Sequence, residues 1–214
     1  MDANKTKELE QYVLSHIDEE GELLRQLDRD AHVNLLRPRM LSGHLQGKIL
    51  KMFCRMLQPR YILEIGTYTG YATLCLAEGA TDDAEIHTIE VNDELEDFIG
   101  NYLHKTKLKD KIHLHIGDAC DIIPQLDHTF DLVFMDANKR DYIAYYTLIL
   151  DRVRSGGLII ADNTLWDGKV LETSHYTDKQ TIGIQAFNDM IAKDERVEKI
   201  ILPIRDGLTL IWKK

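Results

Sequence analysis

From Pro59 onward the sequence alternates short, nearly continuous apolar runs with longer amphipathic stretches, and few folds accept that pattern. The runs are YILEIG, EIHTIEV, KIHLHIG, FDLVFMD and GGLIIAD, starting at Tyr61, Glu85, Lys111, Phe130 and Gly156. Between them, Tyr71–Glu78, Asp93–Thr106, Cys120–Leu126 and Tyr142–Val153 have the composition and spacing of helices. Strands apolar on both faces, separated by helices, belong in a parallel sheet covered on both sides. The tail differs: a helix around Ile184–Lys193 is followed by Val197–Leu202 and Leu208–Trp212, with Arg205, Asp206 and Gly207 between them. Two strands that close together cannot be joined by a parallel crossover, so they form an antiparallel hairpin.

The first third reads as helices from about Thr6 to Leu57. Leu9, Tyr12, Val13 and Ile17 follow helical spacing, as do Leu23, Leu24 and Leu27, and Pro59 closes a helix over Gly43–Leu57. The expectation is one α/β domain over residues 1–214, with a helical N-terminal cap (1–57) and a sheet-containing core (58–214). With 44% apolar and 29% charged residues, the chain has the composition of an ordinary globular protein. A formal charge of −10 argues against passive attraction to nucleic acid or anionic membrane, although a local basic patch is compatible with it. The three cysteines are scattered, without C-x-x-C spacing, which suits a reduced interior. No stretch approaches a membrane span, and MDANKTKELEQYV is polar where a signal peptide would be apolar, so the cytoplasm is the expected location.

Open sheets of this kind bind ligands beyond the carboxyl ends of their strands, and those ends are acidic here. The first runs into Glu64-Ile65-Gly66-Thr67-Tyr68-Thr69-Gly70-Tyr71, where glycines let backbone approach a ligand. A nicotinamide dinucleotide competes for such a turn, but the spacing is not G-x-G-x-x-G, and Glu64 would repel a pyrophosphate. S-adenosylmethionine carries an ammonium and a sulfonium against one carboxylate, so an acidic rim suits it. The second strand ends in Glu90, placed to accept from a ribose diol, and the third in Gly117-Asp118-Ala119, placed to read an adenine edge. Each alone is equally a solvated loop acid; three in succession favour a bound nucleoside.

The fourth strand ends Asp136-Ala137-Asn138-Lys139 and the fifth Ala161-Asp162-Asn163. Asp136, Asp162 and Asn163 at one rim offer oxygen donors suited to Mg²⁺, Ca²⁺ or Mn²⁺; without histidine or thiolate among them, zinc is disfavoured. The competing reading is that these acids cap neighbouring helices. Methyl transfer to a phenol is helped by a cation that lowers the pKa of the bound hydroxyl. Lys139, just beyond Asp136, is placed to take the proton or stabilise the oxyanion.

Together these segments resemble the metal-dependent S-adenosylmethionine O-methyltransferase family that includes catechol and caffeoyl-coenzyme A O-methyltransferases, in its bacterial form. The resemblance runs from about Arg37 to the C-terminus, on EIGTYTGYATL, the acid of IEVND, FDLVFMDANKRDYIAYY, GGLIIADNTLWDGKV and LPIRDGLTL. It implies a class I, Rossmann-like methyltransferase fold with a seven-stranded, mostly parallel sheet, an antiparallel C-terminal hairpin, helices on both faces and a homodimeric state. It implies metal ligation by Asp136, Asp162 and Asn163, and catalytic roles for Lys139 and Asp136. For S-adenosylmethionine it implies Leu41, Ser42, Glu64, Gly66, Thr67, Tyr68, Ala72, Glu90, Asp118, Ala119 and Asp136. For the acceptor it implies Trp166, Asp167 and Lys139. Ala72 stands where relatives often carry serine, and Asn138 where the plant enzymes often carry an acid. The segment Glu172–Gln185 lacks the arginines of those enzymes, which points away from coenzyme A esters. The expected acceptor is a small catechol-like or polyhydroxylated aromatic. The alternative is a hydroxyuridine in tRNA, with Arg37 and Arg39, or Lys105, Lys107, Lys109 and Lys111, facing phosphates.

Overall fold

Each apolar run becomes a strand in the computed structural model, which describes residues 3–171 and 178–214, the side chains of residues 3, 4, 6 and 7 excepted. The strands β1 (Tyr61–Ile65), β2 (Glu85–Glu90), β3 (Ile112–Ile116), β4 (Phe130–Met135) and β5 (Val153–Asp162) are parallel. β6 (Val197–Leu202) and β7 (Leu208–Lys213) pair antiparallel, and β7 also pairs antiparallel with β5. The seven strands lie in the order β3-β2-β1-β4-β5-β7-β6. The order in which strands are added therefore reverses between the parallel strands β1 and β4, which opens a crevice at their carboxyl ends.

Strand alternation assigns each side chain to one face. Leu63, Ile65, Ile89, Val133, Met135 and Ile159 pack on α7 (Tyr142–Leu150) and α8 (Lys179–Lys193) through Tyr142, Tyr146, Ile149, Ile184 and Phe187. The other face presents Ile62, Ile86, Leu132, Phe134 and Ile160 to Leu50 and Cys54 of α3 (Gly43–Leu57), and to Ala72, Leu76 and Ala77 of α4 (Tyr71–Gly79). α3 and α4 can lie this close because a Cβ on Gly79 would come within 2.4 Å of the Lys51 carbonyl. Leu24, Leu27 and Ala31 of α2 (Glu22–Asn34) join Tyr71 and Leu74 of α4, and Ile99 and Tyr102 of α5 (Glu96–Leu103), in a third apolar cluster. α1 spans Ala3–Ser15, so the helical N-terminal third is as expected. Among the described residues no helix is long and apolar enough to cross a membrane, and the three cysteines are unpaired.

The differences from the sequence reading lie at element ends. The helix expected over Asp93–Thr106 begins as a 3-10 turn, Asp93–Leu95, and α5 stops at Leu103. That expected over Cys120–Leu126 is α6 (Ala119–Ile122) followed by a 3-10 turn, because Pro124 has no N–H to continue the ladder. Val153 opens β5 rather than closing α7, and α8 starts five residues before Ile184, capped by Asp178, whose carboxylate accepts from the Gln180 N–H. Pro59 acts as expected: α3 ends at Leu57 and Gln58 turns left-handed at φ 46°. Of the acceptor cover expected at Glu172–Gln185, residues 172–177 lie outside those described.

Candidate active site

Gly66 sets the geometry of the crevice. Its φ is +100°, and a Cβ there would come within 2.4 Å of the Asp136 carbonyl, so β1 and β4 can leave the sheet side by side only with glycine at this position. The Asp136 N–H donates to the Ile65 carbonyl at 2.9 Å, which brings the acid at the end of β4 to the mouth of the Gly66 turn. A cavity of about 690 Å³ opens here.

Of the residues expected at the cofactor, Leu41, Ser42, Gly66, Tyr68, Glu90, Asp118, Ala119 and Asp136 line this cavity. Glu90 is held by backbone: Tyr68 N donates to one carboxylate oxygen at 2.7 Å and Asn92 N to the other at 2.9 Å. Both oxygens keep lone pairs for a ligand diol. Asp118 accepts from Cys120 N at 2.8 Å, so it caps α6 while lining the cavity. Tyr68 donates its hydroxyl to the Arg37 carbonyl at 2.9 Å and ties the N-terminal third to the rim.

Glu64, Thr67 and Ala72 lie behind the wall instead. The Glu64 side chain points to the α4 face, fully buried, where one carboxyl oxygen accepts from the hydroxyls of Thr73 and Thr88. Burial pushes it up to about 8, which favours the uncharged acid at neutral pH and weakens any charge it could lend to the rim. Thr67 is buried and shares a hydrogen bond with Thr88, and Ala72 packs in the α3–α4 cluster. Asp167, expected at the acceptor, is exposed on a left-handed turn at φ 54° and is not among the residues lining the cavity.

The expected metal ligands Asp136, Asp162 and Asn163 all border the cavity, together with Lys139 and Trp166. Lys139 is 6% exposed, and its ammonium donates to Asp136 Oδ1 at 2.7 Å and to the Tyr142 hydroxyl at 2.8 Å. The Tyr142 hydroxyl is fixed in turn against the Met135 and Asp162 carbonyls, each at 3.0 Å. Asp162 accepts from Gln46 Nε2 at 2.6 Å and from Asn163 N at 2.8 Å. Burial, and then the charge of Asp136, raise its carboxyl to about 6. Asp136 acts electrostatically on Asp162, and Asn163 lines the same cavity, so with one lysine set against two carboxylates these oxygen-bearing residues suit a hard divalent cation in donor type and net charge.

Sequence reasoning missed Gln46, Arg205 and Tyr145. Gln46 and Arg205 come from distant segments, and Arg205 Nη1 donates to Gln46 Oε1 at 3.1 Å while its Nη2 donates to the Leu41 carbonyl at 3.2 Å. Tyr145 lines the cavity from α7, where helical spacing marked it only as apolar. Arg37 and Arg39 also reach the cavity wall. Lys105, Lys107, Lys109 and Lys111 do not: they precede Ile112, the first residue of β3, and so lie toward the opposite end of the sheet.

The sequence profile of one family, described as O-methyltransferase, matches residues 14–214. A probable caffeoyl-CoA O-methyltransferase 2 of Dictyostelium discoideum is 32% identical over 207 residues, covering 94% of this chain and 90% of the relative. The S-adenosylhomocysteine-bound methyltransferase PaMTH1 of Podospora anserina superposes with a TM-score of 0.92 at 26% identity, over 100% of this chain and 97% of the other. The O-methyltransferase TomG of Streptomyces achromogenes, described as involved in tomaymycin synthesis and solved in complex with S-adenosylmethionine, gives 0.90 at 30% identity, over 100% and 99%.

Proposed function

This chain belongs to the O-methyltransferase family and takes its methyl group from S-adenosylmethionine, and from that premise we propose that it methylates a small catechol-like or polyhydroxylated aromatic in a divalent-metal-dependent reaction. The observation that carries the proposal is the meeting of Asp136, Asp162, Asn163 and Lys139 on one wall of a cavity that Glu90 and Gly66 border from the other strands.

Asp136, Asp162 and Asn163 would hold the cation. When bound, it would acidify an acceptor hydroxyl and fix two adjacent hydroxyls in one orientation. The protein supplies the rest. Glu90 accepts from the ribose diol, and Gly66 and Ala119 let backbone approach the nucleoside. Glu64, Thr67 and Ala72 support that wall from behind. Trp166 and Tyr145 offer apolar faces to an aromatic acceptor. As an ammonium, Lys139 has a third N–H beyond those given to Asp136 and Tyr142, available to a phenolate; as an amine it takes the hydroxyl proton. The methyl carbon then leaves sulfur, which keeps the electron pair, and bonds to oxygen.

A screen with labelled methyl donor tests the reading. We expect turnover with a catechol, little with a mono-phenol, and loss of rate in excess chelator; equal rates with and without chelator would overturn the metal dependence. Lys139→Ala should retain S-adenosylmethionine binding and lower turnover by about 10²–10⁴-fold.

A tRNA acceptor is the second reading, favoured only by Arg37 and Arg39 at the cavity. Retention of tRNA at low salt, lost steeply as salt rises, would support it. A homodimer located in the cytoplasm belongs to the same proposal. It is supported by the exposed Met52 and Met56 on α3 and by the unpaired cysteines, and light scattering tests the dimer.

A further inference from the structure

Away from the cavity, four histidines gather on the sheet face that carries Leu63. His87 of β2 pairs in register with Leu63 of β1 and with His113 of β3. Its ring lies 4.9 Å from that of His113, 5.3 Å from His115 and 4.7 Å from His128, which itself stacks on Tyr61 at 4.6 Å. Glu85, the first residue of β2, completes the group.

We propose that Glu85, His87 and His128 form a second cation site, for a borderline divalent transition ion of the zinc class, remote from the methyl-transfer cavity. One ligating atom from each of the three lies within 4.8 Å of the others. Tetrahedral ligands at zinc distances are about 3.4 Å apart, so closing the site takes small side-chain rotations. Glu85 and His128, both partly exposed, can supply them.

The buried member carries the argument. His87 is 6% exposed, and its Nε2 has no hydrogen-bond partner among the described residues. A buried imidazole nitrogen without a partner is costly, and binding an ion is one way to satisfy it. Its other nitrogen, Nδ1, lies 3.0 Å from His115 Nε2. With Nδ1 as the donor, Nε2 presents a lone pair, the arrangement by which an outer-sphere partner fixes a ligating histidine. His113 Nε2 is 3.9 Å from Glu85 Oε2, near enough to orient that carboxylate or to join the ion as a further ligand.

Two imidazoles and a carboxylate prefer zinc, cobalt or nickel over magnesium or calcium, whereas the cavity offers only oxygen. The places differ as well. Glu85 opens β2 and His128 stands just before β4, while Glu90 and Asp136 lie at the carboxyl ends of the same strands. An ion here would not touch the reacting atoms; it would tie the segment before β4 to the start of β2.

Zinc equilibrium dialysis and cobalt absorption on the Asp162→Ala protein, in which the cavity's donor set is broken, test the proposal. We expect one zinc equivalent to remain, an intense tetrahedral cobalt band, and a rise in thermal midpoint with zinc. Glu85→Gln and His128→Asn, at partly exposed positions, should each weaken zinc binding about tenfold or more and remove the cobalt band. Absence of zinc binding in Asp162→Ala, or binding unchanged in the Glu85→Gln, His128→Asn double variant, would overturn it. Neither outcome depends on methyl transfer.

Discussion

Gln46 Nε2 donates to Asp162 Oδ2 at 2.6 Å, joining residues 116 positions apart in the sequence. Gln46 is 3% exposed, and its other amide atom accepts from Arg205, which also holds the Leu41 carbonyl. One amide therefore links a proposed metal ligand on β5, the segment leading into α3, and the turn between β6 and β7. Rotation of Asp162 about its side-chain bonds is restrained by that link and by the Asn163 N–H.

The first prediction concerns this amide. Gln46→Leu keeps approximate volume and removes both hydrogen bonds, so Asp162 loses the contact that fixes one oxygen. Metal affinity should fall about 10–100-fold, with S-adenosylmethionine affinity less affected. Calorimetric titration with each ligand checks it, and an unchanged metal affinity would remove Gln46 from this role.

The second concerns pH. Asp162 stands near 6 in the fold against an ordinary 3.8, so between those values the folded chain holds the proton more tightly than the unfolded chain. Stability of the metal-free protein from this group should therefore fall as pH rises from about 4 to 6, and metal binding should strengthen over the same range. The measurement is the difference in thermal midpoint between wild type and Asp162→Asn in chelator. A difference flat across that window contradicts the assignment.

The third concerns Gly183 on α8. A Cβ there would come within 2.6 Å of the Lys139 carbonyl and 2.9 Å of Arg140 Cα. Gly183→Ala must push α8 off the turn that carries Lys139. We expect a loss of about 1–3 kcal/mol in denaturant unfolding, together with a lower kcat. Stability lost without any change in kcat would show that Lys139 tolerates the shift.

The fourth separates two glutamates. Glu90 lines the cavity, whereas Glu64 is buried behind it, where burial raises its carboxyl toward the uncharged form. Glu64→Gln should leave S-adenosylmethionine affinity within about tenfold, while Glu90→Gln should cost more than that, because hydrogen bonds to a charged acceptor are worth about 1.5–3 kcal/mol. Equal losses at both positions would mean that Glu64 reaches the ligand.

The sheet and its direction were legible because each apolar run is short, bounded and unbroken, and the acids Glu90, Asp136 and Asp162 sit where those runs stop. Helix ends were less so. Nothing local announces that Val153 leaves α7 for β5, and Asp178 reads as a cap only once Lys179 is known to start a helix. Glu64 shows a different limit. As the fourth residue of a strand whose neighbours face the other way, it is turned toward Thr73 and Thr88, and a motif that groups it with Gly66 hides that alternation. Gln46 carries no motif, and Arg205 lies in LPIRDGLTL without any sign of its role; only the folded chain brings Gln46 to Asp162 and Arg205 to Gln46.

The insertion of β7 between β5 and β6 has a consequence for synthesis. As the chain leaves the ribosome, β5 emerges with its outer edge open, and the strand that covers it arrives only after residues 163–207 have passed. β6 is made first yet cannot join the sheet until β7 exists to receive it. Arg205, which braces Gln46, is delivered in that same late stretch. A nascent chain stalled before Arg205 would thus have the strands β1 to β5 and the Gln46–Asp162 pair, but not the guanidinium that braces Gln46 and holds the Leu41 carbonyl.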